Sequence, residues 1–149
     1  MLRPRSLSLF ALTLALALTA CDGSEPDTTC EALDLLSTGT FTATVDGSTY
    51  RAECFDVTVD EGRLFVTGFR TYSLVDFVTV VIGDTEVGAY DLEGEVQAYV
   101  DYAAPNGGEG YTTGTITLES YSSSRVQGRF DVATEGGESE ASGRFDVRY

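Results

Sequence analysis

Histidine and lysine are both absent from this chain of 149 residues. Without histidine there can be no Ser-His-Asp or Cys-His catalytic site, and without lysine there is neither a Ser-Lys dyad nor a Schiff base. Three cysteines with no histidine cannot supply a zinc or copper site, so the sequence predicts no metal centre and no cofactor. Paired carboxylates remain the one catalytic option, but 24 acidic residues place some pairs together by chance. We therefore expect a protein that is not an enzyme.

Positive charge is also scarce. Residues 21–149 hold seven arginines against 24 acidic residues, which gives a formal charge of −17. Such a surface repels phosphate backbones and anionic headgroups, which argues against nucleic-acid binding and against peripheral docking on a membrane. Because no acidic cluster has the spacing of a calcium-binding loop, a solubilising surface is favoured over a cation-binding face.

Residues 1–20 have the layout of a secretory signal peptide. Arg3 and Arg5 precede an apolar run at 7–18, which is shorter than the roughly 20 residues of a membrane-spanning helix. Leu-Thr-Ala-Cys at 18–21 resembles the bacterial lipobox, which implies cleavage before Cys21 and a lipid on its sulfur. The alternatives are a buried N-terminal helix and an ordinary signal peptide. We expect a cell-envelope protein, lipid-anchored to the inner or the outer membrane and facing the periplasm or the exterior.

The other two cysteines form a candidate pair. If Cys21 carries lipid, Cys30 and Cys54 remain in a chain exported to an oxidising compartment, where disulfides persist. Closing this loop of about 25 residues would stabilise the fold by roughly 3–4 kcal/mol. We predict a Cys30–Cys54 disulfide, with two free thiols as the alternative. Residues 21–29 then form a flexible polar tether and residues 30–149 the domain.

From Thr40 onward the hydrophobic period is two, which is typical of β-strands. Turn signals such as Asp46-Gly47 recur at short intervals. Together they predict an all-β domain, an antiparallel β-sandwich of about eight strands, with a closed meander barrel as the alternative. Residues 50–59 and 111–118 each read as one strand. A capping-box pattern at 28–31 also leaves room for one short helix.

The last two predicted strands contain a repeat. Gly-Arg-Phe-Asp-Val at 128–132 recurs at 143–147. Alternation directs Phe and Val toward the core and Arg and Asp toward water. If the two strands are adjacent and antiparallel, opposite charges can pair across them. We interpret the repeat as a strand pattern and not as a binding signature.

Several segments together resemble a family of small, functionally uncharacterised bacterial lipoproteins with an all-β domain. The resemblance covers about residues 40–149, and it lies in the lipobox and in the segments 41–47, 88–92, 98–99, 111–117, 126–130 and 143–147. Its motifs are turn glycines and strand aromatics. The resemblance therefore implies a fold and supplies no catalytic residues.

Two features could bind a ligand. Tyr102 and Tyr111 flank a glycine-rich segment that reads as a loop, and tyrosines on β-scaffold loops can stack on sugars or grip peptides. Cross-strand packing is their commoner role. The second feature is an acidic stretch that could hold calcium, although solvated charge is the favoured interpretation: Asp84, Glu86, Asp91, Glu93 and Glu95.

These observations lead to three hypotheses about function. The first is a lipid-anchored, non-enzymatic envelope protein with a binding or scaffolding role. The second is a carbohydrate- or calcium-binding module that acts with other envelope proteins. The third is a carboxylate-based glycosidase.

Overall fold

The computed structural model describes residues 30, 34–35, 37–70, 76–92, 98–104 and 107–149. The predicted signal peptide, Cys21 and the predicted tether lie outside these residues, as does most of the predicted short helix. The described part is all-β, with eleven strands in two antiparallel sheets. The strands are β1 Thr38–Val45, β2 Ser48–Arg51, β3 Cys54–Asp60, β4 Arg63–Phe69, β5 Phe77–Ile82, β6 Gly88–Asp91, β7 Tyr99–Ala104, β8 Gly107–Tyr111, β9 Thr113–Ser122, β10 Arg125–Ala133 and β11 Glu140–Arg148.

The two sheets pack face to face as a sandwich. One has the strand order β2-β1-β11-β10-β9-β6 and the other β3-β4-β5-β7-β8. Across these described strands the sheets do not close into a barrel, so the predicted antiparallel sandwich is confirmed, with eleven strands in place of the expected eight or so.

Two tight hairpins follow from local sequence. Asp46 and Gly47 join β1 to β2 with φ of 48° and 76°, and Glu61 and Gly62 join β3 to β4 with φ of 49° and 84°. Two successive positive φ angles are the signature of the type I′ turn, whose twist matches that of the strands it connects. The predicted turn at Asp46-Gly47 is confirmed.

The chain passes from one sheet to the other in the middle of two segments that read as single strands. The Ala52 amide donates to Phe41 O of the six-stranded sheet at 2.9 Å, whereas the next amide, Glu53, donates to Phe69 O of the five-stranded sheet at 2.7 Å. Tyr111 likewise pairs with Val100, and the residues after it pair with β10. The predictions of one strand at 50–59 and one at 111–118 are therefore wrong, because each segment is divided between the sheets.

The core lies between the sheets and is aliphatic and aromatic. Phe41 is fully buried at its centre, with ring centroids 6.0 Å from Phe145 and 6.2 Å from Phe130. Val78, Val80 and Ile82 of β5 are all fully buried in this core. The inward residues fix which side chains of the six-stranded sheet point outward.

Candidate functional site: the outer face of the six-stranded sheet

Positive charge is concentrated on the outward face of the six-stranded sheet. Five of the seven arginines in residues 21–149 lie there, at Arg51, Arg125, Arg129, Arg144 and Arg148. Their neighbours along each strand are buried, so the alternation of the strands holds the guanidinium groups in solvent. In a chain with this excess of acid, the concentration of arginine on one face is the main electrostatic feature of the described structure.

Three of these arginines share one row across the sheet. Strand register places Arg51 opposite Thr42, Thr42 opposite Arg144, Arg144 opposite Arg129, and Arg129 opposite Thr117. We call these five residues the arginine row. Neighbouring strands lie about 4.8 Å apart, so the backbone positions of the three arginines follow one another at intervals of roughly 5 and 10 Å.

Arg129 and Arg144 oppose each other directly, although like charges in this position destabilise a strand pair. Arg129 donates to Glu119 Oε1 at 2.7 Å on the neighbouring strand. Arg144 and Arg51 are exposed, and their side chains form no hydrogen bond or ion pair with any described residue. Local rules of strand pairing are broken most often at functional or strained sites, which makes this part of the face the candidate site.

The repeated pentapeptide explains how the two arginines come to face each other. Its two copies run antiparallel about Arg129 and Arg144, so that Gly128 opposes Phe145 and Phe130 opposes Gly143. A Cβ on Gly143 would lie 2.5 Å from Phe130 Cζ and 2.5 Å from Thr42 O, and one on Gly128 would lie 2.4 Å from Phe145 Cζ. Each ring therefore covers the glycine of the other copy, and this fixes the register that aligns the arginines.

The expected charge pairing between these two strands occurs outside the centre of the repeat. Arg125 donates from Nε and Nη2 to the two carboxylate oxygens of Asp146 at 2.8 and 2.7 Å, and Gln127 Nε2 donates to Asp146 Oδ2 at 3.2 Å. The hydrogen bonds from Arg125, before all other causes, hold the pKa of Asp146 below its ordinary value of 3.8. Arg125 and Asp146 therefore neutralise each other, whereas Arg148, which lies opposite Arg125, is a further exposed cation outside the arginine row.

A second row of polar side chains runs beside the arginine row. Register places Thr49, Thr44, Ser142, Asp131 and Thr115 side by side on neighbouring strands. We call these five residues the hydroxyl row. The hydroxyl row and four residues of the arginine row, all but Arg51, line an open depression of about 670 Å³, and Gly143 also lines it.

Tyr102 and Tyr111, the ligand-binding candidates, do not flank a loop. Residues 107–111 form β8, which pairs with β7, so the prediction of a loop there is wrong; residues 105–106 lie outside the described part. Tyr111 is fully buried, and its hydroxyl lies 3.2 Å from that of Ser139. Tyr102 is half-buried and packs edge-on against Tyr50 at 6.1 Å. Both tyrosines therefore have the packing role that is common for cross-strand aromatics.

Asp46 forms a polar contact between two turns at one end of the sandwich. Its carboxylate accepts bonds from Ser139 Oγ at 2.8 Å and from the Glu140 amide at 2.9 Å. These bonds, that of the Glu140 amide first, lower the pKa of Asp46 from its ordinary value of 3.8. The cluster ties the β1–β2 turn to the start of β11.

Cys30 and Cys54 form a disulfide, with Cα atoms 5.5 Å apart. The predicted pair is thus confirmed, and Cys54 is the first residue of β3. The lipidation site predicted at Cys21 stays a prediction.

Of the acidic stretch, Asp84, Glu86 and Asp91 are described, whereas Glu93 and Glu95 lie outside the described residues. Asp84 Oδ1 accepts bonds from the amides of Thr85 and Glu86, so it serves the local turn. Among the described residues no group of three or more Cys, Asp or Glu side chains is placed to hold a metal ion.

The described part of the chain contains no helix that is long and apolar enough to cross a membrane. No curated protein and no solved structure matches the chain. A family model described as a domain of unknown function, DUF6252, matches residues 37–146, which include the arginine row and the hydroxyl row. This protein therefore belongs to the DUF6252 family.

Proposed function

We propose that this protein is a lipid-anchored, non-enzymatic component of the bacterial envelope, and that it binds an anionic ligand on the arginine row. The observation that carries the binding role is the direct opposition of Arg129 and Arg144, with Arg144 and Arg51 unpaired among the described residues. The signal peptide and lipobox patterns of residues 1–21 support the anchor, and the Cys30–Cys54 disulfide supports an oxidising compartment.

Arginine suits this role because its planar guanidinium group makes paired hydrogen bonds to carboxylate, sulfate or phosphate oxygens. The row offers two guanidinium groups on neighbouring strands and a third two strands further on. An anion between Arg129 and Arg144 would convert their repulsion into attraction toward the ligand, so binding would remove a strain that the free protein carries.

Retention on immobilised dextran sulfate, with uncharged dextran as the reference, tests this proposal. The net charge of the protein opposes any nonspecific retention on a polyanion, so binding at low salt would be informative. We expect R144Q and R51Q each to weaken retention and the double variant to abolish it. The matched control is R63Q, which makes the same charge change on β4 of the other sheet.

If Arg144 had a purely structural role, R144Q would lower stability together with retention. The binding role predicts that retention falls without a loss of stability. Because Arg144 is exposed and faces Arg129, R144Q should leave stability unchanged or raise it by about 0.2–1 kcal/mol while binding falls. Equal retention of the wild-type protein and the double variant would refute the proposed function.

A further inference from the structure

We infer that the anionic ligand is a linear acidic polysaccharide, with one carboxylate on every sugar or every second sugar, lying across the strands along the two rows. This inference rests on the proposed function and adds the class of ligand to it. Three observations carry it: the direction and spacing of the arginine row, the hydroxyl row beside it, and the charge of the rest of the protein.

The arginine row crosses four adjacent strands from Arg51 to Arg129. The backbone positions of its arginines are separated by roughly 5 Å between β10 and β11 and roughly 10 Å between β11 and β2. The smaller interval is close to the length of one sugar ring in an extended chain, and the larger is close to two. A polymer of uronic acids that lies across the strands would therefore bring successive carboxylates within reach of the three arginine side chains.

The hydroxyl row supplies what a polyol needs. Thr44, Thr49, Thr115 and Ser142 can each donate and accept a hydrogen bond, and Asp131 accepts bonds from sugar hydroxyls. An acidic sugar has carboxylate oxygens and hydroxyl groups on the same ring, so it can satisfy both rows at once. An acidic peptide carries the carboxylates without the hydroxyls and would leave the second row unused.

Aromatic stacking, the usual means of holding a neutral sugar, is not offered by this depression. Phe130 is the aromatic residue among those that line the depression, and it is only 3% exposed, so its ring offers no surface for stacking. Recognition here must therefore rest on charge and hydrogen bonds, which favours a charged sugar over an uncharged one.

The overall charge sets an upper limit on how densely the ligand can be charged. Double-stranded DNA carries one charge per about 1.7 Å of its axis, and the 24 acidic residues would repel it strongly. A polymer with one carboxylate per sugar places fewer charges near the rest of the surface while still reaching the three arginines. The charge of the protein thus argues against duplex DNA as the ligand.

The experiment is titration of the full-length protein in detergent with oligogalacturonate, by calorimetry at low and at physiological salt. The matched ligand control is the same oligomer with its carboxyl groups methyl-esterified, and the matched charge control is poly-glutamate of equal length. We expect oligogalacturonate to bind, the ester to fail, and poly-glutamate to bind more weakly.

Variants of the hydroxyl row separate a sugar site from a simple charge site. T44V and T115V keep the side-chain shape and remove the hydroxyl. Each should weaken oligogalacturonate about three- to tenfold, as expected for the loss of one hydrogen bond, and leave poly-glutamate unchanged. The R144Q variant should weaken both ligands.

The outcomes distinguish the inference from the function beneath it. If dextran sulfate binds on the arginine row but oligogalacturonate does not, or if poly-glutamate binds as tightly as oligogalacturonate, the polysaccharide inference is overturned and the anion-binding function stands. If neither dextran sulfate nor oligogalacturonate binds, both fail.

Discussion

Replacing Gly143 by alanine should destabilise the fold through a collision that can be worked out from the structure. The new Cβ would lie 2.5 Å from Phe130 Cζ and 2.5 Å from Thr42 O, whereas carbon atoms in contact prefer about 3.5–4.0 Å. The ring could move by about 1 Å only by displacing its neighbours in the core, and the carbonyl oxygen belongs to a paired strand. Overpacking of this kind costs about 1–3 kcal/mol, and because two contacts are violated we expect a value near 3 kcal/mol.

The control for this variant is Gly88 in β6, where a Cβ would meet nothing within 4 Å and no unusual φ is required. G88A should be neutral or slightly stabilising, by up to about 1 kcal/mol. Urea unfolding followed by fluorescence or circular dichroism measures both variants. A double-mutant cycle adds F130L, which removes part of the ring and should reduce the cost of G143A.

Two results would refute this reasoning. One is a G143A protein within 0.5 kcal/mol of wild type. The other is a cost for G143A that is identical in the wild-type and F130L backgrounds, because the collision would then not involve the ring.

Three further predictions concern other parts of the chain. Asp46 has a lowered pKa in the fold, so its contribution to stability is present above the ordinary value of 3.8 and is lost as pH falls through the lowered value. The matched variant is D46N, because asparagine accepts the same positive φ. The difference in unfolding free energy between wild type and D46N should be constant at neutral pH and shrink below about pH 4, and a difference that grows with acid would contradict the assignment. Reduction of Cys30–Cys54 should lower the unfolding free energy by about 3.5 kcal/mol without abolishing the fold, and an unchanged melting temperature by calorimetry would count against it. C21A should move the protein from the membrane to the soluble fraction and abolish palmitate labelling, and a wild-type protein that is soluble and unlabelled would exclude the lipid anchor.

The sequence predicted the class of the fold because its hydrophobic period is a local property. Alternating residues and the Asp46-Gly47 turn are sufficient to identify strands and one hairpin. The passage between sheets at Ala52 and Glu53 was missed because neither residue is a glycine or a proline. Which sheet receives each amide depends on Phe41 and Phe69, which are distant in sequence.

The arginine row was missed for a related reason. The repeat was visible in the sequence, but two antiparallel copies can pair in more than one register, and the sequence does not say which residues face each other. The pairing of Arg129 with Arg144 depends on the fit of each phenylalanine against the opposite glycine. The sequence contained one usable signal: most arginines of a very acidic domain lie at outward positions of the strands near its C-terminus. The disulfide was predictable because only two cysteines were left to pair.

The disulfide also determines how the domain would carry a mechanical load. A pull on the chain before Cys30 reaches the fold through the bridge to Cys54, since this path is far shorter than the one through residues 31–53. The load then enters β3, an edge strand of the five-stranded sheet that is paired with β4 along its whole length. With the bridge reduced, the same pull would enter β1, which lies beside β11 and carries part of the arginine row. With the bridge intact, tension on the N-terminal segment would therefore be transmitted to the five-stranded sheet and not to the sheet that presents the arginines.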